Sequence, residues 1–532
     1  MPPSMALRPS NFLLLRRETP KLSRIFLTRY YRSAVASSSA MQSQTPPSSS
    51  PQEIPDDLLL SSTGSLIRGL AVYSALSFPT FVDASPTLLK VTTGIPVVKQ
   101  VALSVVRNTF FKHFVGGESF QQAIPLIESL RQRNLASMLE YSVEVDEESA
   151  KENSKQSGAI NGNKVIPQYV KNIQEIMDSI PQASAVEDEF KLKHPSTRKT
   201  SIAIKLSALV PSATALKDFS TALLAKQSTP NDPFTTSLLY DSSISTYIEE
   251  SHIAALKELH DSLTKIGELA AQYGVRIFVD AEHTWYQPAI DAFATDMMLS
   301  SNSFDQASPI NPVVHLTFQA YLRSTPARLK SAIAHATSNK YALGVKLVRG
   351  AYHPQEIENH ASNPANKGTL PPVWSEKNET DKCYNQCVEL LLDELASVTQ
   401  GKQPSIGLLF GTHNKESCNT VISGLVERHM ATVETNEQGK EVVRVPPSVS
   451  AQVLVGQLLG MADELTNYVS SRLNSPNSPI VLKCIPYGRL EDVMPYLGRR
   501  AVENKSVLGN SNTSIERQRI SQELRRRFFN RA

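Results

Sequence analysis

Short apolar runs alternate with longer segments of helical periodicity from about residue 133 onward. The runs are LASMLEYSVE at 135–144, TSIAIKLSAL at 200–209, VRIFVDAE at 275–282, PVVHLTFQAY at 312–321, YALGVKLVRGAY at 341–352, SIGLLFGTHN at 405–414, a weaker SAQVLVGQLLG at 450–460 and PIVLKCIPYG at 479–488. Each has the length and composition of a buried strand. Eight strands separated by helices predict an α/β fold, a (β/α)8 barrel of the TIM type, over residues 133–511.

The polar residues that end these runs separate two fold classes. A doubly wound open sheet has the same alternation, but no strand here is followed by the GxGxxG turn that binds dinucleotides in that fold. Most runs instead end in charged or hydrogen-bonding side chains, which are Glu144, Lys205, Asp280 with Glu282, Gln319, Lys346 with Arg349, and His413 with Asn414. Because the active site of a (β/α)8 barrel lies at the carboxyl ends of its strands, this pattern favours the barrel.

The segments outside the barrel have distinct compositions. Residues 1–40 mix seven Lys or Arg with apolar residues and one acid, which is typical of a mitochondrial transit peptide; a disordered basic tail is the alternative. A Ser/Pro-rich linker follows at 41–56, and an apolar helical region at 57–132. A polar run without apolar periodicity predicts a mobile insertion at 146–164.

Charge and cysteine content limit the function classes. The formal net charge of +3 becomes −3 without residues 1–40, so we expect no nucleic-acid partner. Four cysteines without a CxxC pair give neither a disulfide framework nor a zinc ribbon. No apolar run is long enough to span a membrane, so any membrane contact should be peripheral. A basic amphipathic helix is predicted at 512–532, where Ile520, Leu524 and Phe528 would face anionic lipid or pack on the barrel.

Two strand-end motifs carry charged groups. VDAEHTW places Asp280 and Glu282 two residues apart, so both carboxylates would face the barrel mouth, although acids at strand ends are also common helix caps. KLVRGAYH joins Lys346 and Arg349 to Gly350, which lets a ligand approach the backbone. This second motif suits a planar anionic or electron-accepting cofactor, or simply a turn.

A third strand ends in GTHN at 411–414, which offers hydrogen-bonding side chains for phosphate or ribose. His413 could equally be a buried core histidine whose hydrogen bonds are made within the protein. Metal ligation is the least favoured interpretation of His413, and we expect no metal site. The sequence also lacks HExxH, Walker A and GxSxG motifs, which excludes zincins, P-loop NTPases and α/β-hydrolases.

The segment PYGRLEDVMPYLGRRAVEN at 486–504 is the most informative. Helical spacing puts four of its residues on one stripe, namely Tyr496, Arg499, Arg500 and Glu503. Two adjacent arginines form a clamp for a carboxylate, and Glu503 can hold one of them or bind an ammonium. A solvent-facing helix with salt bridges is the alternative. Combined with Lys205, Asp280 and Lys346, the clamp indicates a small zwitterionic ligand.

Taken in order, IKLSAL, FVDAEHTW, LVRGAYH, FGTHN and PYLGRRAVEN make the chain resemble the proline dehydrogenases, specifically the mitochondrial single-function type. The likeness extends from KHFVGGES at 112–119 to LGNS at 508–511. It implies a distorted (β/α)8 barrel with an N-terminal helical extension and noncovalent FAD. It also implies oxidation of L-proline to Δ1-pyrroline-5-carboxylate by hydride transfer from proline C5 to flavin N5.

The resemblance further implies a location and partners. Mitochondrial members pass electrons to ubiquinone, so we expect a matrix protein in peripheral contact with the inner membrane. Some bacterial relatives fuse the barrel to an aldehyde dehydrogenase. Because this chain ends soon after LGNS, we expect a separate pyrroline-5-carboxylate dehydrogenase downstream.

The resemblance assigns the substrate contacts to Lys205, Tyr352, Cys484, Tyr496, Arg499, Arg500 and Glu503. The arginines would bind the proline carboxylate together with Lys205, and Asp280 would pair with Lys205 and order it. Glu503 would brace the arginines. Tyr352 and Tyr496 would hold the proline ring against the flavin.

On the cofactor side, Lys346 would lie near flavin N5, where a cation stabilises charge on the reduced ring. Asp280 and Lys346 are therefore the predicted catalytic residues. The predicted FAD contacts are Ala281, Gln319, Lys346, Val348, Arg349, Gly350, Ala351, Thr412, His413 and Asn414.

One position departs from the family pattern. Cys484 stands where many members have a Tyr, and the smaller side chain would admit a hydroxyl, so hydroxyproline is an alternative substrate; a buried small hydrophobe is the other interpretation. Two hypotheses belong to other classes. One is a barrel lyase that uses Lys205 or Lys346 as a Schiff-base amine, and the other is a proline sensor without catalysis.

Overall fold

The structure is a computed structural model that describes residues 58–59, 61–77, 96–142, 166–193, 200–227, 232–303, 311–401, 405–437, 439–475, 478–506 and 509–529. The predicted transit peptide at 1–40, the linker at 41–56 and the insertion at 146–164 lie outside these residues, as does Glu144. The structural statements below concern the described part of the chain.

Eight parallel strands close into a barrel in the order β1-β11-β9-β6-β5-β4-β3-β2, which confirms the predicted fold class. In chain order the strands are β1 Ala136–Tyr141, β2 Thr200–Ile204, β3 Arg276–Val279, β4 Val314–Gln319, β5 Leu343–Val348, β6 Ile406–Gly411, β7 Thr432–Thr435, β8 Glu441–Arg444, β9 Val453–Leu458, β10 Leu473–Asn474 and β11 Val481–Tyr487. Strands β7, β8 and β10 form a separate three-stranded sheet that the apolar pattern does not predict.

Helices connect the strands and cover the barrel. They are α1 Thr63–Leu76, α2 Pro96–Val106, α3 Lys112–Phe114, α4 Phe120–Gln132, α5 Gln168–Lys193, α6 Thr214–Lys226, α7 Glu250–Tyr273, α8 Gln287–Ser301, α9 Thr325–Asn339, α10 His353–Ser362, α11 Lys377–Thr399, α12 Lys415–Glu427, α13 Pro447–Ser450, α14 Asp463–Arg472, α15 Met494–Ser506 and α16 Gly509–Phe529. Of the helices described, none is long and apolar enough to cross a membrane.

Two apolar layers follow from the alternation of side chains along each strand. The outward-facing strand residues pack under the helices in the largest core cluster. The inward-facing residues form a second cluster, here called the inner layer: Ala136, Met138, Ala203, Phe278, Leu409, Leu454, Leu482 and Cys484. The inner layer fills the barrel, so the open end toward the strand carboxyl termini is the place left for a ligand.

The N-terminal helices hold α15, which carries the arginine pair. Val72 and Leu76 of α1, together with Phe114, pack against Tyr496 and Leu497 of α15 in one buried cluster. The position of the predicted clamp therefore depends on chain segments that precede the barrel.

Helix α16 packs along α1 rather than standing free. Ile520 and Leu524 are buried against α1, whereas Phe528 is exposed. Arg527 donates hydrogen bonds to the carbonyl oxygens of Leu58 at 2.6 Å and Ser61 at 2.8 Å, which fastens the last turns of α16 to the segment that leads into α1.

Candidate active site

Four inward-facing residues form a network of alternating charge at the carboxyl end of the barrel. In order they are Glu140 on β1, Lys205 after β2, Asp280 after β3 and Lys346 on β5, hereafter the charge network. Lys205 Nζ donates a hydrogen bond to Glu140 and lies 3.8 Å from Asp280 Oδ2. Lys346 Nζ donates to Asp280 Oδ1 at 2.6 Å. All four residues are buried.

Strand geometry accounts for these positions. Lys205 keeps an extended backbone with φ −108° and ψ 119°, and the Asp280 N–H donates to Ile204 O at 2.9 Å, so both residues continue the strand alternation by one step. The register pairs Thr317 with Lys346 on the same face of the sheet. Strands β1, β2, β3 and β5 thus each contribute one charged side chain, directly above the inner layer toward the carboxyl ends of the strands.

Electrostatics favour the charged forms in this network. Burial alone would raise the pKa of Glu140, but Lys205, Lys346 and Arg499 outweigh it and lower the pKa to about 2. Burial alone would lower the pKa of Lys346, but Asp280 and its hydrogen bond raise it above the ordinary value. The network is therefore two ion pairs at neutral pH.

Glu282 binds the loop after β2 instead of joining the charge network, although its spacing to Asp280 predicts a common face. Its Oε1 accepts from the Ser207 N–H at 3.0 Å, and its Oε2 accepts from the Ser207 hydroxyl. Strand β3 ends at Val279 and its alternation continues only one step, to Asp280, so the two-residue spacing does not fix a common face for Glu282. Burial raises the pKa of Glu282 despite these hydrogen bonds, and its role is to hold the loop after β2.

The arginine pair lies at one side of the mouth. The Arg499 guanidinium lies over the Tyr352 ring at 5.7 Å, and the Arg500 guanidinium lies over the Tyr496 ring at 4.9 Å. Arg500 also pairs with Glu503 at 2.6 Å. Tyr352, Tyr496 and Arg500 are buried, so these contacts fix the arginines against the wall.

Cys484 and Tyr496 connect the arginine side to the charge network. Cys484 Sγ lies 3.7 Å from Glu140 Oε2. Burial and the charges of Glu140 and Glu503 raise the pKa of Tyr496 above its usual value despite Arg500, and its buried hydroxyl has no hydrogen-bond partner among the described residues. The predicted substrate contacts thus surround one small space, lined by both charge signs and an unsatisfied hydroxyl.

The predicted cofactor residues on β5 and β6 divide into two groups. Arg349 is engaged by protein groups, since its guanidinium donates to Asp381 at 2.7 Å, Thr412 at 2.7 Å and Ser417 at 2.9 Å. The Asn414 side chain caps α12 by accepting from the Ser417 N–H at 3.0 Å. These contacts organise the strand ends, and a ligand would have to share them.

His413 belongs to the second group, whose polar atoms remain available. Its Nε2 accepts from the Leu458 N–H at 3.3 Å, which leaves the proton on Nδ1. Burial, with Lys483, Arg500 and Arg349, lowers the pKa of His413 to about 3, so the ring is neutral at pH 7. In the described part of the chain, His413 Nδ1 and the Thr317 hydroxyl are buried without a hydrogen-bond partner.

The remaining predicted FAD residues lie around these groups. Gln319 Nε2 donates to Glu282 O at 2.8 Å, which fixes its amide at the end of β4. Gly350 has φ +122°, and a Cβ there would come within 2.5 Å of the Tyr321 ring, so this turn requires glycine. Ala281, Val348 and Ala351 offer backbone groups and small side chains at the same strand ends. A buried donor just after β6, a hydroxyl on β4 and the Lys346 ammonium fit a large polar cofactor.

The sequence predictions missed Glu140 and Thr317. Both lie inside apolar runs, before the strand ends where polar residues were sought. A single acid at an inward position of a buried strand was the available signal for Glu140. Within the described residues no group of three His, Cys, Asp or Glu side chains could hold a metal ion.

Comparisons with known proteins identify the family of this chain. The family model described as proline dehydrogenase matches residues 127–513. The mitochondrial proline dehydrogenase 2 of Arabidopsis thaliana is 27% identical over 481 residues, which cover 87% of each chain. The hydroxyproline dehydrogenase of Bos taurus is 29% identical over 475 residues, which cover 89% of this chain and 92% of that protein.

Among solved structures, proline utilization A from Bdellovibrio bacteriovorus, inactivated by N-propargylglycine, superposes with a TM-score of 0.53 at 16% identity. The match covers 95% of this chain but 44% of that chain, so this chain spans less than half of the larger protein, and the likeness concerns the fold. The family model, in contrast, spans nearly the whole barrel and more than half of the 532 residues, and this chain therefore belongs to the proline dehydrogenase family.

Proposed function

We propose that this protein is a flavin-dependent dehydrogenase that oxidises L-proline to Δ1-pyrroline-5-carboxylate. The observation that carries the proposal is the meeting of the buried charge network with the arginine pair at one barrel mouth. The Arg499 field helps lower the pKa of Glu140, which joins the two sets of residues in one site. A small zwitterion is the ligand class that such an arrangement accommodates.

The substrate roles follow from these contacts. Arg499 and Arg500 would bind the proline carboxylate, and Lys205 would add a third cation. Glu503 would hold Arg500 in place through its 2.6 Å pair. Tyr352 and Tyr496 would bound the proline ring, with Cys484 at its edge. Oxidation of the C5–N bond needs orientation of the ring more than a nucleophile, and a rigid set of walls and cations supplies orientation.

The cofactor roles rest on the available donors. Lys346 and Thr317 would contact the flavin ring beside Gln319, whereas His413 Nδ1 and Thr412 would hold phosphate or ribose groups. The Arg349 to Ala351 turn, with Ala281, Val348 and Asn414, would contribute backbone and side-chain contacts. When bound, FAD supplies the two-electron acceptor for the hydride that leaves proline C5. Lys346 would then place a fixed positive charge where negative charge develops.

A Schiff-base lyase is disfavoured by the same electrostatics. A Schiff-base lysine needs a neutral amine, which a lowered pKa provides. Asp280 instead holds the pKa of Lys346 above its ordinary value, against the effect of burial. Lys205 is tied to Glu140 and lies near Asp280, so both candidate amines are ion-paired.

The electron acceptor and location extend the proposal. Ubiquinone at the mitochondrial inner membrane would take the electrons, and a separate pyrroline-5-carboxylate dehydrogenase would consume the product. Relatives in Arabidopsis thaliana and Dictyostelium discoideum are named as mitochondrial, and residues 1–40 have the composition of a transit peptide. The exposed Arg525, Arg526, Phe528 and Phe529 on α16 suit peripheral contact with an anionic bilayer.

Hydroxyproline is a second candidate substrate, which the surroundings of Cys484 favour. The small Cys484 thiol is a weak donor to Glu140 Oε2 at 3.7 Å, and a substrate hydroxyl would be a better donor to the same oxygen. Relatives from Bos taurus and Xenopus laevis are named hydroxyproline dehydrogenases. The two candidates share one mechanism and differ in the ring substituent.

The visible spectrum of the purified protein tests the proposal and separates the substrates. We expect flavin bands that bleach on anaerobic addition of L-proline, with trans-4-hydroxy-L-proline as a parallel sample. Bleaching with hydroxyproline alone would keep the mechanism and change the substrate. A flavin that never bleaches, although proline binds, would indicate a sensor. A protein that stays colourless after addition of FAD would refute the flavoenzyme.

The clamp is tested by Arg499→Met with Arg489→Met as the control. Arg489 lies ten residues earlier, and its side chain is 69% exposed. We expect the Arg499 variant to raise KM for proline by about 100-fold, because it removes a charged contact to the carboxylate, while FAD stays bound. The control should leave KM unchanged. Loss of FAD from the Arg499 variant would refute its assignment to the substrate side.

A further inference from the structure

Lys205 makes unequal contacts with the two carboxylates of the charge network. Its ammonium donates a hydrogen bond to Glu140 Oε1, whereas Asp280 Oδ2 lies 3.8 Å away. Asp280 is already engaged by Lys346 at 2.6 Å. Glu140 is therefore the principal anchor of Lys205, although the expected anchor was Asp280.

Glu140 stands at the end of the charge network that faces the arginine helix. The Arg499 field reaches its carboxylate, its own charge acts on Tyr496, and its second oxygen lies 3.7 Å from Cys484 Sγ. The two ion pairs of the network thus run from the flavin side at Lys346 to the substrate side at Glu140. The Glu140 end is therefore the end in contact with the arginine side, where it can direct a cation toward the arginines.

We propose that Glu140 is a positioning residue for the substrate carboxylate, which it aligns by holding the Lys205 ammonium toward Arg499. This inference rests on the proposed function and deepens it. Without Glu140, Lys205 would turn toward Asp280, which Lys346 already engages at 2.6 Å. The ammonium would then move away from α15, and a displacement of about 1 Å in a binding group can lower catalytic efficiency by about 100-fold.

Simple charge counting predicts the opposite result. Removal of a carboxylate makes the site more positive by one unit, which would bind an anionic group more tightly. Positioning predicts weaker binding, because the cation is displaced even though the net positive charge has increased. The sign of the change in affinity therefore separates the two explanations.

The test compares Glu140→Ala, Glu140→Gln and Glu140→Asp in the holoenzyme. We expect KM for proline to rise about 10- to 100-fold in the Ala variant, with kcat changed less than about threefold. The Gln variant should be intermediate, since its oxygen still accepts from Lys205 without the charge. The Asp variant should come closest to the wild type. The dissociation constant for cyclopentanecarboxylate, measured by calorimetry, should rise by the same factors as KM.

A matched control removes a partly buried carboxylate at the opposite end of the barrel. Glu187 pairs with Arg131 beside Thr200, the first residue of β2. Glu187→Ala should lower the unfolding temperature as Glu140→Ala does, but leave KM and the dissociation constant unchanged. Equal rises in KM for both variants would show general damage to the fold and overturn the proposal.

Other outcomes also decide. Tighter binding of cyclopentanecarboxylate to the Glu140→Gln variant would overturn positioning in favour of the charge effect. A fall in kcat at constant KM would place Glu140 in the chemical step and equally overturn it. If the Ala variant does not fold, the Gln and Asp variants carry the same comparison. A wild type that neither bleaches nor oxidises proline would refute the proposed function, while the calorimetric comparison would still test Glu140.

Discussion

The inward face of the barrel changes from apolar to charged within one step of two residues along three neighbouring strands. Met138 is followed by Glu140 on β1, Ala203 by Lys205 at β2, and Phe278 by Asp280 at β3. The inner layer and the charge network are thus adjacent regions held by the same backbone. They differ in what burial does to their side chains.

Burial stabilises the inner layer by about 25 cal/mol for each Å² of apolar surface removed from water. In the charge network, burial removes water from four ions, and their mutual attraction offsets this penalty only while every partner is present. The inner layer should therefore tolerate rearrangement with graded losses. The network should tolerate paired replacement and fail when a single member is removed. Along each of these strands, the inner layer therefore contributes mainly to stability and the charge network mainly to function.

The largest expected effect is the removal of one network cation. Lys346→Met would leave Asp280 buried with Lys205 at 3.8 Å as its nearest cation, so we expect the free energy of unfolding to fall by about 3–5 kcal/mol. Flavin reduction by proline should slow by about 100-fold or more, because a fixed charge near the reacting groups is lost. Urea unfolding followed by circular dichroism and stopped-flow flavin bleaching measure the two effects.

The double variant Asp280→Leu/Lys346→Met sharpens this result. Replacement of a buried ion pair by apolar residues is often neutral for stability, so the double variant should regain most of the stability that the single variant loses. Its activity should not return. A double variant less stable than Lys346→Met alone would contradict the description of the network as a pair of mutually dependent ions.

A somewhat smaller effect is expected from a cavity in the inner layer. Leu482 is fully buried there, so Leu482→Ala should lower the free energy of unfolding by about 2–5 kcal/mol, while KM for proline in the folded fraction stays constant. The Gly456→Ala change provides a second arm, since its Cβ would lie 3.1 Å from Leu482 Cδ1. In a Leu482→Ala protein, the methyl group added by Gly456→Ala would lie in the cavity that the missing leucine side chain leaves. Additive losses in the double variant would show that the layer does not repack.

The fold was predictable because burial leaves a repeated pattern. Eight apolar runs with polar ends occur at the spacing that strands and covering helices require, and all eight form barrel strands. The sheet of β7, β8 and β10 was not predicted, because the four residues of β7, TVET, are all exposed and show no apolar alternation. Its strands are defined by pairing with each other, and pairing is not visible in one sequence.

The candidate site was partly predictable for a related reason. Searching strand ends found Lys205, Asp280 and Lys346, since their strands keep alternation up to those residues. The same criterion also selects Glu282 as a partner of Asp280, but the Glu282 carboxylate binds Ser207 in the loop after β2. The search overlooked Glu140, which lies before the last residue of β1. The register between neighbouring strands decides which polar residues come into contact. That register cannot be read from a single sequence.

A third prediction uses acid to separate the two regions. The His315 ring stacks on Phe278 of the inner layer at 4.4 Å between ring centroids. Burial and the charge of Arg276 lower the pKa of His315 well below its ordinary value of 6.5. Below about pH 6.5 the unfolded chain binds a proton that the folded chain does not, so His315 lowers stability as the pH falls. Below about pH 6.5, the free energy of unfolding of a His315→Gln variant should fall more slowly with decreasing pH than that of the wild type. The difference between the two slopes should be about 1.4 kcal/mol per pH unit.

Glu140 should act in a different range of pH. Its folded pKa of about 2 lies below the ordinary 4.5, so its contribution is complete above about pH 4.5 and disappears as the pH falls toward 2. Urea titrations at half-unit steps from pH 7.5 to pH 3 compare the wild type with His315→Gln and Glu140→Gln. Parallel curves for the wild type and His315→Gln between pH 6.5 and 5 would contradict the neutral, buried histidine.

The smallest expected effect is at Cys484, where the two regions meet. Its sulfur belongs to the inner layer and also lies 3.7 Å from Glu140 Oε2. If the carboxylate determines what this position requires, Cys484→Ser should stay within about 0.5 kcal/mol of the wild type, because a hydroxyl donates to Glu140 better than a thiol. Cys484→Val should cost about 1 kcal/mol, since it packs well but leaves that oxygen without a donor. A valine variant more stable than the serine variant in urea would instead assign Cys484 to the inner layer. Cys484 would then serve the stability of the barrel, and Glu140 would be the first residue on this side of the barrel that serves substrate binding.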